Sequence, residues 1–125
     1  MSEAAAFTLS RIGTIMLGVT DMARSVEFYR DRLGLPVAFS AGEFTFLDAG
    51  GVRLVLRGVR ALSPADEHRT ELVFHVDDVR AAHDALVARG VTFRIQPRVV
   101  SGDDFAADFR DPDGHVLSVF GKLKT

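Results

Sequence analysis

Few side chains in this sequence have the type and spacing to do chemistry. Glu71 and His75 stand four residues apart in a run from Glu71 to Val76 that reads as a strand, and strand alternation puts Glu71, Val73 and His75 on one face. A carboxylate there could act as a general base or accept a hydrogen bond from a ligand; the plainer reading is a solvated carboxylate at a strand end. An imidazole that titrates near neutrality gives His75 a functional option, against a half-buried strand residue bonded to backbone. The two cannot share an ion, because four residues of strand separate them by ~13 Å. Arg53 and Arg57 flank Val55 on one face of another strand. If that face lines a pocket, they offer two guanidinium groups to an anionic or carbonyl-rich ligand; otherwise they are solvent-facing charges.

Much other chemistry is absent. The chain has no Cys, which excludes a disulfide framework, a thiolate zinc site and a cysteine nucleophile. There is no G-x-S-x-G, no glycine-rich phosphate loop and no H-E-x-x-H. His68, His75, His83 and His115 fall at no ligand-cluster spacing. Asp103 and Asp104 could meet a cation at a pocket mouth, but adjacent loop carboxylates are ordinarily solvated. Fifteen Lys and Arg against seventeen Asp and Glu give a net charge of -2, with no basic run, so nucleic acid is not an expected partner. The longest apolar stretches fall far short of the ~20 residues of a membrane span, and no membrane association is expected. The start, Met1 to Arg11, carries Glu3 and no basic segment before an apolar one, so no signal peptide is read and a cytoplasmic location is expected.

The elements that must position these residues come in two similar sets. The segment from Ile15 to Phe39 lies over that from Leu72 to Ile95, with Val19 on Val76, Asp21 on Asp78, Met22 on Val79 and, after one gap, Gly34 on Gly90. Each copy opens on a strand, Thr14 to Val19 or Glu71 to Val76, and continues through a capping Asp into a helix. Met22, Val26, Tyr29 and Leu33 make the apolar stripe of the first helix; Val79, Ala82 and Leu86 make that of the second. A strand follows each glycine, Leu35 to Ser40 or Val91 to Ile95, and then two more strands joined by a turn, Ala49-Gly50-Gly51 or Asp111-Pro112-Asp113-Gly114. Gln96 to Asp103 is expected to be irregular. The 125 residues, 47% of them hydrophobic, suffice for one core. The reading is an α+β fold in a single domain over 12–121. It has βαβββ modules at 12–57 and 70–121, a linker at 58–69, and tails at 1–11 and 122–125. A single helix covers one face of each sheet, so the other face needs a partner, either the other module or a second chain.

Val19-Thr20-Asp21 with Ser25, Phe28-Tyr29 and Leu33-Gly34-Leu35, together with Asp111-Pro112-Asp113-Gly114-His115-Val116-Leu117, resemble the vicinal oxygen chelate superfamily of glyoxalases, bleomycin resistance proteins and ring-cleaving dioxygenases. The resemblance spans Ile12 to Gly121. It implies a curved mixed sheet around a cavity, usually completed in a homodimer. It also implies one metal ligand on the first strand and one on the last strand of each module, drawn from His, Glu or Gln. Carried across by distance from the motifs, those positions fall on Thr14, Val55, Glu71 and Ser118. Only Glu71 is a good ligand, and several protein ligands are needed to hold an ion.

The expectation is therefore a small-molecule-binding protein that needs no metal or other cofactor, similar to the antibiotic-sequestering members. Thr14, Arg53, Val55, Arg57, Glu71, His75 and Ser118 are its candidate ligand-binding residues, and a homodimer is its expected assembly. The alternative is a divergent lyase, isomerase or dioxygenase that uses Glu71 as its catalytic residue, with a divalent metal if unusual ligands gather around it.

Overall fold

A computed structural model describes residues 12–61 and 71–124. The expected N-terminal tail at 1–11, most of the expected linker, Thr70 and His68 lie outside the described residues. The first module runs β1 (Thr14–Val19), α1 (Met22–Val26), a π-helical continuation (Glu27–Arg32), β2 (Val37–Ala41), β3 (Phe44–Asp48) and β4 (Arg53–Gly58). The second runs β5 (Glu71–Val76), α2 (Val79–Ala88), β6 (Phe93–Ser101), β7 (Asp104–Arg110) and β8 (Val116–Gly121). Each module makes a four-stranded mixed sheet, ordered β1-β4-β3-β2 and β5-β8-β7-β6, whose first and last strands pair in parallel. This is an α+β architecture of two βαβββ units.

The internal similarity holds at the level of hydrogen bonds. Asp21 caps α1 by accepting from the Arg24 N–H at 3.1 Å, and Asp78 caps α2 by accepting from the Arg80 and Ala81 N–H groups. Gly34 and Gly90 both take positive φ, 81° and 93°, and release the chain toward the next strand.

Two local expectations are corrected. The first helix is not α-helical throughout: the Leu33 N–H donates to the Phe28 carbonyl, five residues back, over a widened turn. That turn brings Phe28 inward beside Tyr29, so Ser25, Phe28 and Tyr29 are the buried residues of this element, while Met22, Val26 and Leu33 of the expected stripe are half-buried. Gln96 to Asp103 is not irregular, since β6 extends to Ser101. Pro97 is accommodated within that strand. It has no N–H to give a ladder, and it sits between Ile95 and Arg98, where the β6–β7 register shifts.

The helix-bearing faces of the two sheets meet in one core. Leu17, Val19, Leu54 and Leu56 from the first module and Phe93, Phe109, Leu117 and Val119 from the second belong to it, with Phe28 and Tyr29 among them. The turn between β7 and β8 locks this junction. Tyr29 Oη donates to Asp111 Oδ2 at 2.7 Å in a buried contact, while Asp111 Oδ1 accepts from the backbone N–H groups of Asp113 and His115. Asp113, its side chain only 4% exposed, accepts from the Thr20 N–H and hydroxyl, Arg24 Nη2 and the Ser25 hydroxyl. His115 Nε2 lies 2.8 Å from the Gly18 carbonyl. A carbonyl can only accept, so that nitrogen carries the proton.

Burial, then the neighbouring Asp111 carboxylate, pushes the Tyr29 phenol well above its ordinary value. The unfolded chain releases this proton near pH ~10 and the folded chain holds it, so stability falls as the pH climbs past that point. Tyr29 is the sole tyrosine and the chain has no tryptophan, which makes ultraviolet titration a clean reporter. The tyrosinate band is expected to emerge only with alkaline unfolding. A band rising near pH ~10 while circular dichroism stays native would contradict the buried pair. Tyr29→Phe leaves one Asp111 oxygen unpartnered and is expected to lower unfolding stability by about 1–3 kcal/mol in urea titrations.

Candidate functional site

Because the helix faces are used in the core, the helix-free face of each sheet is open, and every residue singled out from the sequence lies in a strand of one sheet or the other. On the first sheet Thr14, Met16 and Gly18 of β1 share this face with Arg53, Val55 and Arg57 of β4. Thr14 pairs with Arg53, and Met16 with Val55. On the second sheet Glu71, Val73 and His75 of β5 share it with Val116, Ser118 and Phe120 of β8. Glu71 pairs with Val116, and Val73 with Ser118. The two modules therefore present their expected ligand positions with the same offset: Val55 stands two residues beyond the partner of Thr14, and Ser118 two beyond the partner of Glu71. The motif spacing selects equivalent places in the two halves.

Within one chain these two pairs lie on different sheets. Glu71 borders a cavity of about 200 Å³ beside Ile15, Leu54 and Phe74. His75 borders another of about 330 Å³, walled by Leu33, Phe74, Leu86 and Phe109. Thr14, Val55 and Ser118 line neither. His75 is exposed, not half-buried, and its ring lies 5.3 Å from that of Phe120.

The first sheet's open face carries an aromatic ladder. Phe39 stacks on Phe46 with ring centres 4.3 Å apart, and Phe44 follows at 6.3 Å. The Arg53 guanidinium sits 5.8 Å from the Phe39 ring centre and 3.3 Å from Asp48, its cross-strand neighbour. Arg57 lies 3.5 Å from Glu43. Each of these arginines thus has a carboxylate already beside it, and an anionic ligand would compete with Asp48 and Glu43. The face is best suited to a flat apolar ligand with polar groups at its margin.

The donor set does not fit a divalent metal. Two hydroxyls, a valine and one carboxylate occupy the four positions, and a buried Val55 supplies no lone pair. Among the described residues no group of three or more His, Asp or Glu side chains could hold an ion. Two of the histidines have other partners: His83 bonds to Asp84 and Gln96, and His115 to Gly18. Asp103 and Asp104 both accept from Lys122 Nζ at 2.8 Å, so their cationic neighbour is a side chain of the same chain.

Comparison with known proteins agrees with this fold. Residues 11–119 match the family model described as "Glyoxalase/Bleomycin resistance protein/Dioxygenase superfamily". The chain belongs to that superfamily. It is 29% identical to the uncharacterized protein YraH of Bacillus subtilis (strain 168) over 123 residues, covering 87% of this chain and 96% of the relative. A crystal structure of a glyoxalase/bleomycin resistance protein/dioxygenase from Nocardioides superposes with a TM-score of 0.80 at 24% identity, covering 98% of this chain and 90% of the other. The lactoylglutathione lyase of Agrobacterium tumefaciens superposes with a TM-score of 0.76 at 22% identity, covering 91% of this chain and 95% of that one. At these identities the two structures share the fold. No helix among the described residues is long and apolar enough to cross a membrane.

What the sequence reading missed is the reach of the Asp111 and Asp113 carboxylates into the first module. Its signal was an asymmetry between the repeats, since the equivalent turn, Ala49-Gly50-Gly51, has no acidic side chain. Removing the middle ring of the aromatic ladder tests how far that face is a built surface. Phe46→Ala is expected to lower unfolding stability by about 1–3 kcal/mol, short of a fully buried ring because Phe46 is half-exposed. A change within about 0.5 kcal/mol in urea titrations would show the ladder to be incidental.

Proposed function

We propose that this chain is a metal-independent small-molecule-binding protein of its superfamily, retaining the two-module scaffold while binding without turnover. The observation that carries the reading is the set Thr14, Val55, Glu71 and Ser118 at four equivalent places of two like modules, with one chelating side chain among them. The favoured ligand is flat, apolar in body and rich in carbonyl or other acceptor oxygens, of the kind found among aromatic antibiotics. It would lie on the Phe39–Phe46 ladder, with Arg53 and Arg57 at the margin on one sheet and Glu71, His75 and Ser118 on the other.

A second copy of the chain completes the site in this reading. Met16 is 51% exposed, Phe39 50% and Val73 48%, all on the open faces, and such apolar surface favours a covering partner. Met16→Lys with Val73→Lys is expected to give a monomeric mass in light scattering at micromolar concentration, where the parent chain gives a dimer. A monomeric parent would remove this part of the proposal.

A thermal-shift screen of divalent metals, aromatic antibiotics, 1,2-dicarbonyls and catechols tests binding directly, because whatever binds the native state raises its melting temperature. An aromatic or carbonyl-rich compound is expected to stabilise the protein equally with and without a chelator. Glu71→Gln separates binding from the alternative of a lyase, isomerase or dioxygenase. Turnover of any such compound by the parent, lost in Glu71→Gln at unchanged melting temperature, would overturn binding without catalysis.

A further inference from the structure

Beside the helix of the first module, a cleft of about 460 Å³ runs between the two modules. Arg24 and Arg32 of the first module and Arg94 and Arg110 of the second line it, with Glu27 and Asp111 as its acidic members. Four guanidiniums face two carboxylates in its lining, and Asp113, 3.5 Å from Arg24, adds a third, so one positive charge is left over in a chain whose net charge is -2. Asp111 spends both oxygens on Tyr29 and on the N–H groups of its own turn, and Glu27 stands 3.9 Å from Arg32. Among the described residues nothing pairs with Arg94. Arg110 places one nitrogen on the Gly114 carbonyl, while its Nε is buried with no hydrogen-bond partner. A buried guanidinium N–H without an acceptor is costly, and here it belongs to a side chain that lines a cationic cleft. Phe28, Val91 and Pro112 add apolar wall.

We infer that this cleft is a second ligand site, one that takes a small organic phosphate monoester. The phosphate would lie among the arginines, and the organic body would rest on the apolar wall. Guanidinium forks match the oxygens of a phosphate, Arg94 and Arg110 have no carboxylate paired with them among the described residues, and the volume lies in the range of small-molecule sites. None of the candidate residues of the open faces lines this cleft, so it stands or falls without them.

Isothermal titration of the full chain at constant ionic strength, with phenyl phosphate as probe, tests it. Saturable binding of one phenyl phosphate per chain is expected, with phenol giving none and inorganic phosphate binding more weakly. Arg94 is exposed and unpaired, so Arg94→Glu is expected to leave the melting temperature unchanged and to weaken phenyl phosphate about tenfold or more. Arg32→Gln is expected to weaken it to a smaller extent, and Glu71→Gln on the open face not at all. Absence of saturation at millimolar probe, indifference of binding to both arginine variants, or inorganic phosphate binding as tightly as the ester would each overturn the assignment. Loss of binding in Glu71→Gln would place the probe at the other site and overturn it as well.

Discussion

The structure depends on the grip of one turn. Asp111 and Asp113 lie on the second module, yet the groups they satisfy include the Tyr29 phenol, the Thr20 backbone and hydroxyl, and Ser25 on the first. An acidic turn buried against a neighbouring module is stable only when its lone pairs are filled, and here nearly every one has a donor. The bonds join residues more than eighty positions apart in sequence, and they are what holds the helix of one half against the sheet of the other. The π-helical widening belongs to the same arrangement, since it turns Phe28 toward Phe109, with ring centres 6.3 Å apart, while Tyr29 reaches Asp111.

The rest of the surface chemistry follows from that junction. With both helix faces consumed in a common core, each sheet keeps one face free, and the candidate ligand-binding residues lie on those faces. The position that would carry a ligand on β4 is instead a fully buried valine between Met16 and Phe46, and the position on β8 is a buried serine. The same junction leaves a seam lined by arginines from both modules, of which Arg24 and Arg32 have carboxylates beside them.

The architecture was legible in the sequence because it rests on local and periodic features: β1 and β5 begin and end where alternation places them, and Asp21 and Asp78 cap as their positions suggest. The duplication supplied the topology that propensity alone would not. What periodicity could not show were the consequences of distant contact. A helix stripe at α spacing cannot reveal a widened turn imposed by Phe28 and Tyr29 packing. The length of β6 was hidden because the register shift that accommodates Pro97 is a property of two strands, not one. The charges on Arg53 and Arg57 were visible, but their partners Asp48 and Glu43 lie across strands and turns. The arginine-lined seam was invisible for the same reason, as its members are scattered from Arg24 to Arg110 and meet only after the modules dock.

The account turns on whether this scaffold binds without a metal, and elemental analysis tests that most directly. Protein produced in medium supplemented with iron, nickel, zinc and manganese, and purified without chelators, is predicted to carry only traces of each by mass spectrometry. A near-stoichiometric content of any one of them, removed by substitution of Glu71, would contradict it.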